Sequence, residues 1–255
     1  MANVLNVSGY RFVPLDGLTA LRERLHAAAL ARALRGTVLL APEGINLFVA
    51  GAPEPLRDWL DALRSDERFI GLQAKESWSE TTPLRRLKVK IKPEIIRMNR
   101  PAIRPTDGRA PALEASTLAR WLSQGHDDQG RPVAMLDTRN AFEVDAGTFD
   151  GAIDWRLGRF SDFPAALDAH REQLAGKTVV SFCTGGIRCE KAALLMRARG
   201  VASVLQLDGG ILKYFEATAG AAPGWRGDCV VFDERGALAP DLSPATVPTP
   251  AHRNA

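Results

Sequence analysis

The sequence predicts two domains in succession, an α+β domain over residues 1–98 and an α/β domain with a parallel sheet over residues 113–235. Three observations carry this reading. Strand-like and helix-like segments in the first hundred residues follow the order β-α-β-β-α-β. Beyond residue 113, buried-looking strands alternate with helical patterns, as a parallel sheet with helices on both faces requires. Between the two lies NRPAIRPTDGRAPA (99–112), which has three prolines and no periodicity and reads as a linker.

In the first domain, NVLNVSGYRFVP (3–14) is partly alternating and reads as a strand. Asp16 can cap the next helix, whose apolar positions Leu18, Leu21, Leu25 and Ala29 recur every three to four residues; Gly36 ends it. Two apolar runs follow, 37–41 and 45–50, broken by Pro42-Glu43-Gly44, and they read as two strands and a turn. PEPLRDWLDALRS (53–65) opens with proline and places Leu56, Trp59, Leu60 and Leu63 on one face of a helix. Residues 86–96 supply the last strand. This order is the split βαβ, or ferredoxin-like, pattern.

The second domain opens with a short helix near 114–124. PVAMLDTR reads as a buried strand at 132–139, Ala152–Trp155 as a short apolar stretch, and 162–174 as a helix. TVVSFC (178–183) is a second buried strand, followed by a glycine turn and a helix from about 189 to 199. VASVLQLDGG (201–210) is a third strand and Ile211–Thr218 another helix. Residues 236–255 hold four prolines and few large apolar groups, and read as a disordered tail.

Composition narrows the function classes. A chain with 45% hydrophobic and 25% charged residues is neither disordered, collagen-like nor a disulfide-dense miniprotein. No apolar run approaches the roughly 18–20 residues that span a bilayer, and MANVLNVSGYRF has no secretory pattern, so no membrane association is expected. The three cysteines, Cys183, Cys189 and Cys229, are an odd, sparse set that fits a reducing cytoplasm. With four scattered histidines they give no metal site, and no dinucleotide or other cofactor fingerprint is evident. The net charge of +3 hides an asymmetry. Residues 1–104 carry 17 Lys+Arg against 11 Asp+Glu, a net of +6, and the remainder carry 16 against 19, a net of −3.

The segment that carries chemistry is VVSFCTGGIRCEKA (179–192). Ligands of open α/β sheets bind beyond the carboxyl ends of the strands, and Cys183 stands at such an end. Thr184, Gly185, Gly186 and Ile187 form a loop whose glycines let backbone amides turn inward as an anion nest. The following helix adds partial positive charge and Arg188 a full one. All three favour the thiolate, which is the nucleophile. Four residues separate Cys183 from Arg188, one fewer than in Cys-x5-Arg phosphatases. The loop therefore resembles the smaller cradle of rhodaneses, which suits a persulfide sulfur. Leu136-Asp137-Thr138-Arg139, followed by Glu143, Gly147, Phe149 and Gly151-Ala152-Ile153, is a second rhodanese-like feature. Asp137 and Arg139 read as an ion pair fixing strand ends in preference to a direct catalytic role.

A closer resemblance spans residues 10–235. CTGGIRCEK (183–191), APEGIN (41–46), the basic strand near RLKVK (86–90), LDTRN (136–140) and VFDER (231–235) are similar to the bacterial tRNA uridine-34 hydroxylase family. The resemblance implies a ferredoxin-like domain followed by a rhodanese-like α/β domain. It also implies a tRNA partner and oxygen-dependent conversion of wobble uridine to 5-hydroxyuridine. Molecular oxygen is then the co-substrate, a small molecule the sulfur donor, and Cys183 the site of the persulfide intermediate. Many members continue past VFDER into a cysteine-rich extension; here the sequence continues without cysteine.

The residues support RNA binding independently. RRLKVKIKPEIIRMNRPAIR (85–104) holds eight basic residues against one acidic. Lys88, Lys90 and Lys92 alternate with Leu87, Val89 and Ile91, which sends the lysines to one face. Arg85, Arg86 and Arg97 extend the patch, which suits phosphates. A lysine-protected edge strand is the plainer reading. Several roles stay open. Cys189 can resolve a persulfide or simply pack. Glu190 and Lys191 can orient Arg188 or face solvent, and Glu43 and Asn46 can merely shape their turn. Tyr10 and Phe12 can stack bases, although core packing explains them as well, and Cys229 reads as structural. The rival functions are a rhodanese-type sulfurtransferase acting on a thiol acceptor, an RNA- or partner-binding module with a redox-sensing cysteine, and, last, a phosphatase.

Overall fold

A computed structural model of the chain describes residues 3–245. The chain divides into two compact units, one up to Arg97 and one from Met98 onward.

The first unit contains β1 (Val4–Phe12), α1 (Leu18–Ala31), β2 (Arg35–Ala41), β3 (Gly44–Gly51), α2 (Pro53–Arg64), β4 (Ala74–Ser79) and β5 (Leu87–Ile91). Its sheet has the order β4-β1-β3-β2-β5. The β4-β1, β1-β3 and β3-β2 pairs are antiparallel, and β5 lies parallel to β2 at the edge. The expected βαββαβ pattern is present, but β4 closes it, not the 86–96 stretch. That stretch supplies an added fifth strand, β5. Periodicity missed β4 because AKESWS is an edge strand with almost no buried face: Ser79 alone is buried, and Trp78 is exposed. Leu21, Leu25 and Ala29 of α1 and Leu56, Trp59, Leu60 and Leu63 of α2 share one core with Leu5, Val38, Leu40 and Leu47 of the sheet.

Two local expectations are corrected. Gly17, at φ +55°, occupies the N-cap of α1, and no side chain caps it; Asp16 instead lies near Arg68 in solvent. Gly36 does not end α1, which stops at Ala31. It sits in β2 at φ +143°, where a Cβ would lie 2.1 Å from the Phe48 carbonyl oxygen. Its missing side chain permits the close approach of β3.

The second unit contains β6 (Ala112–Leu113), α3 (Ala115–Gln124), β7 (Val133–Asp137), α4 (Ala141–Ala146), β8 (Gly147–Phe149), β9 (Ile153–Asp154), α5 (Phe163–His170), β10 (Thr178–Phe182), α6 (Ile187–Ala198), β11 (Val204–Leu207), α7 (Gly210–Ala217), β12 (Trp225–Gly227), β13 (Cys229–Val230), β14 (Ala237–Leu238) and β15 (Pro244–Ala245). Its main sheet runs β6-β11-β10-β7-β9, and every pairing is parallel. β10 is central and wholly buried, which explains why TVVSF reads as a continuous apolar run with little alternation. Val180 and Phe182 pack with Leu118 and Trp121 of α3 and with Ile211, Tyr214 and Phe215 of α7. α6 packs against β10 and β11.

Residues 99–112 are not a free linker. They include a 3-10 turn at Pro105–Asp107 and run into β6, with Pro105 and Ala110 buried. The Ala110 carbonyl accepts from Gln206 Nε2 at 3.0 Å. Proline richness removes periodicity, which is what the sequence shows, but it does not prevent packing. The expected disordered tail is also corrected over its first half. β14 pairs with both β13 and β15, and Ala237 and Leu238 are buried. Residues 246–255 lie outside the described residues.

Candidate active site

The carboxyl end of β10 delivers Cys183, and three neighbouring elements fix the loop that follows. From β7, Thr138 donates its amide and its hydroxyl to the Phe182 carbonyl, at 3.0 and 2.9 Å. From α7, the amides of Ile211 and Leu212 donate to the carbonyls of Cys183 and Thr184, at 3.0 and 3.1 Å. The approach of α7 requires glycine: Gly210 has φ +70°, and a Cβ there would lie 2.4 Å from the Cys183 carbonyl oxygen and 2.7 Å from the Gly186 nitrogen. Gly186, at φ +96°, is the N-cap of α6. The helix starts at Ile187, two residues before the expected 189, so Arg188 and Cys189 both lie in its first turn.

The Cys183 thiol is fully buried and accepts a hydrogen bond from the Gly186 amide at 3.1 Å. Burial pushes its pKa up. The Cys189 thiol hydrogen bond, the Arg188 charge and the amides of Arg188 and Gly186 outweigh burial and bring it down to about 5. Cys189 moves the other way, well above the usual thiol range, because it is buried beside the Cys183 charge and donates to it. Its sulfur also lies 3.7 Å from the Thr138 hydroxyl. The third thiol, Cys229, packs in the core cluster, and burial pushes it up to about 12.

Arg188 is 6% exposed and donates Nη1 and Nη2 to the two oxygens of Glu143, at 2.7 and 2.8 Å. Glu143 is itself fully buried. Burial would raise its carboxyl, but the Arg188 and Arg139 guanidinium charges and the Asn140 amide hold it below the usual carboxylate range. The Thr184 hydroxyl bridges Glu143 and the Val230 carbonyl, at 3.4 Å each. Phe232, two residues beyond Val230, places its ring 6.0 Å from the Arg188 guanidinium carbon. Gly185 is the open point of the loop: a Cβ there would meet nothing within 4 Å.

Asp137 and Arg139 form a wholly buried ion pair, with Nε and Nη2 donating at 2.9 and 2.6 Å. Thr148 donates to Asp137 and Arg139 donates to the Gly147 carbonyl, so the pair ties β7 to β8. Glu190 and Lys191 do not face solvent. Both are 1% exposed, and Glu190 binds Arg109 and Gln206, which clamps the proline-rich segment against α6. Among the described residues no group of His, Cys, Asp and Glu is arranged to hold a metal, and no helix is long and apolar enough to cross a membrane.

In the first unit, Arg85, Arg86, Lys88, Lys90, Lys92 and Arg97 are all exposed. Leu87 and Val89 pack against the core as the alternation requires, whereas Ile91 is 39% exposed, because β5 ends at the sheet edge there. Glu43 and Asn46 do more than shape a turn: they hold the Ile95 amide at 2.8 Å and its carbonyl at 3.3 Å, anchoring the chain after β5. Tyr10 and Phe12 are half-buried and pack edge to face at 6.0 Å.

Sequence reasoning missed the roles of Glu143, Gly210, Arg109 and Phe232. A signal existed for Glu143: Asn140-x-x-Glu143 has capping-box spacing, and the Glu143 half forms, its carboxylate accepting from the Asn140 amide at 3.0 Å. Gly209-Gly210 before a helix signalled special backbone geometry, but not what approaches it. Nothing local marks Arg109 or Phe232, whose partners are remote in sequence.

Comparison with known proteins agrees with this architecture. Residues 4–95 match the UPF0176 acylphosphatase like domain, and residues 118–217 match the rhodanese-like domain. A tRNA uridine(34) hydroxylase of Bordetella petrii is 64% identical over 245 residues, covering 96% of this chain and 96% of the relative. One from Variovorax paradoxus is 62% identical over 243 residues, covering 95% and 92%. One from Delftia acidovorans is 58% identical over 243 residues, also covering 95% and 92%. Identity of this level over nearly the whole of both chains means that the protein belongs to the tRNA uridine(34) hydroxylase family.

Proposed function

We propose that this protein is a tRNA-modifying enzyme that hydroxylates wobble uridine 34 to 5-hydroxyuridine. The observation that carries the reading is a buried cysteine at a strand end that accepts the Gly186 amide, in a chain 64% identical to a tRNA uridine(34) hydroxylase over both domains. Molecular oxygen is the co-substrate and tRNA the partner, in the cytoplasm. Cys183 works as a persulfide. Its thiolate attacks the outer sulfur of a small-molecule sulfane donor, the donor leaves as its own anion, and the new S–S⁻ group takes the place of the thiolate. The amides of the 184–188 loop and Arg188 hold that anion. The exposed lysines of β5 hold tRNA phosphates. A sulfurtransferase acting on a thiol acceptor would use the same loop but would leave the basic strand without a partner.

The test is nucleoside mass spectrometry in a bacterial host from which every route to 5-hydroxyuridine has been deleted. Expression of this chain is expected to restore 5-hydroxyuridine derivatives in tRNA. A host that remains without them overturns the reading.

A further inference from the structure

We propose that Phe232 is the base-binding residue of the Cys183 site, and that its exposed ring stacks on the uracil of the target nucleotide. The inference rests on the hydroxylase reading and adds to it how the base is held. In the same unit Phe149, Phe163, Phe182 and Phe215 are 0% exposed, whereas Phe142 is 39% and Phe232 48% exposed; of these two, Phe232 is the one beside Arg188. Folding removes apolar rings from water wherever it can. Here a ring stays half in water on a hydrogen-bonded turn.

The turn that carries it is closed by backbone hydrogen bonds and an ion pair. The Val231 amide donates to the Gly236 carbonyl at 3.0 Å, and the Gly236 amide to the Asp233 carbonyl at 3.2 Å. Arg235 and Asp233 pair across the turn at 2.6 Å, with both side chains 9% exposed. The turn joins β13 to β14, whose register is fixed by the Cys229–Leu238 and Val230–Ala237 pairings. The Val230 carbonyl accepts from Thr184, next in sequence to Cys183, at 3.4 Å. The strand end that leads to Phe232 is therefore tied to the loop that carries the nucleophile. The Arg188 guanidinium carbon lies 6.0 Å from the ring centroid, and Phe232 remains half exposed. The free space beside Gly185 lies in the same loop.

The chemistry of this corner fits an unpaired base. Splayed-out bases are held by stacking on aromatic rings and guanidinium planes, and a loop nucleotide costs little to unstack. Phe232 offers the ring, and the buried Arg188 guanidinium lies beside it. A base lying on Phe232 would be presented at the edge of the Cys183 cradle.

The experiment is fluorine NMR of an anticodon stem-loop RNA carrying 5-fluorouridine at the wobble position, mixed with the full-length protein. Wild type is expected to move the fluorine signal upfield through the ring current. Phe232→Trp, with its larger ring, is expected to move it further. Phe232→Leu keeps an apolar group and is expected to leave the signal at its free position and to weaken binding about tenfold. No shift with wild type, or the same shift with Phe232→Leu, overturns the proposal. Cellular 5-hydroxyuridine separates the two readings. A wild-type chain that shifts the signal yet makes no product contradicts the hydroxylase reading alone. A Phe232→Leu chain that makes product at the wild-type level contradicts the stacking proposal alone.

Discussion

Glu143 holds both terminal nitrogens of Arg188, at 2.7 and 2.8 Å, and both side chains are buried. The cation beside Cys183 is thereby fixed in place by the protein and needs no substrate to order it. This preorganisation is the form of electrostatic help that costs no rearrangement during reaction. It also makes the site sensitive to the loss of either partner.

Removing the Glu143 charge strands a guanidinium in a buried setting. Breaking one partner of such a pair costs about 3–5 kcal/mol. Glu143→Gln is expected to lose stability of that order in urea unfolding, and adding Arg188→Met is expected to recover part of it. A loss within about 0.5 kcal/mol, as for an ordinary surface change, would contradict the geometry.

The thiolate gives a pH dependence with a definite sign. The folded pKa of Cys183 lies near 5, below its ordinary 9.0. Its ionised form therefore stabilises the fold above 9.0, and this contribution is lost as pH falls through 5. Ultraviolet thiolate absorbance, with Cys183→Ser as the blank, is expected to titrate near pH 5. Arg188→Met removes a cation and Cys189→Ala removes a hydrogen-bond donor, so each is expected to move the midpoint up. A midpoint in the ordinary thiol range would refute the assignment.

Gly210 and Gly185 offer a contrast within one site. A methyl group at Gly210 meets backbone at 2.4 Å and forces a left-handed conformation, whereas at Gly185 it meets open space. Gly210→Ala is expected to destabilise by at least about 1–2 kcal/mol and to raise the Cys183 pKa, because the loop must move. Gly185→Ala is expected to unfold like wild type, within about 0.5 kcal/mol. Thermal unfolding and the thiolate titration check both.

Lys88 and Lys90 of β5, and Lys92 directly after it, are exposed and replaceable. Lys88→Gln, Lys90→Gln and Lys92→Gln together are expected to leave stability unchanged and to weaken tRNA binding. The plot of log affinity against log salt is expected to flatten by about 0.7–0.9 for each phosphate that the variant no longer neutralises. An unchanged slope would assign these lysines to edge protection alone.

Cys183, its glycine loop and Arg188 were legible because local order sets them: an apolar strand, a turn and a helix start are contiguous in VVSFCTGGIRCEKA. The helices with regular apolar spacing were legible for the same reason. β4 was not, since an edge strand with one buried residue carries no periodic signal. Nor were the partners of the site. Glu143 lies 45 residues from Arg188, and Arg109 lies 81 from Glu190. Such pairs exist only once β7, β10 and β11 are side by side. The packing of 99–112 and of the 237–245 hairpin was hidden by proline content, which signals irregular backbone and says nothing of burial.

The central claim is that Cys183 is the group on which 5-hydroxyuridine formation depends. The most direct measurement is nucleoside mass spectrometry of tRNA from the host lacking every route to this nucleoside, carrying either wild type or Cys183→Ala at equal expression. The account predicts 5-hydroxyuridine derivatives with wild type and none above background with Cys183→Ala. Equal amounts from both chains would contradict it.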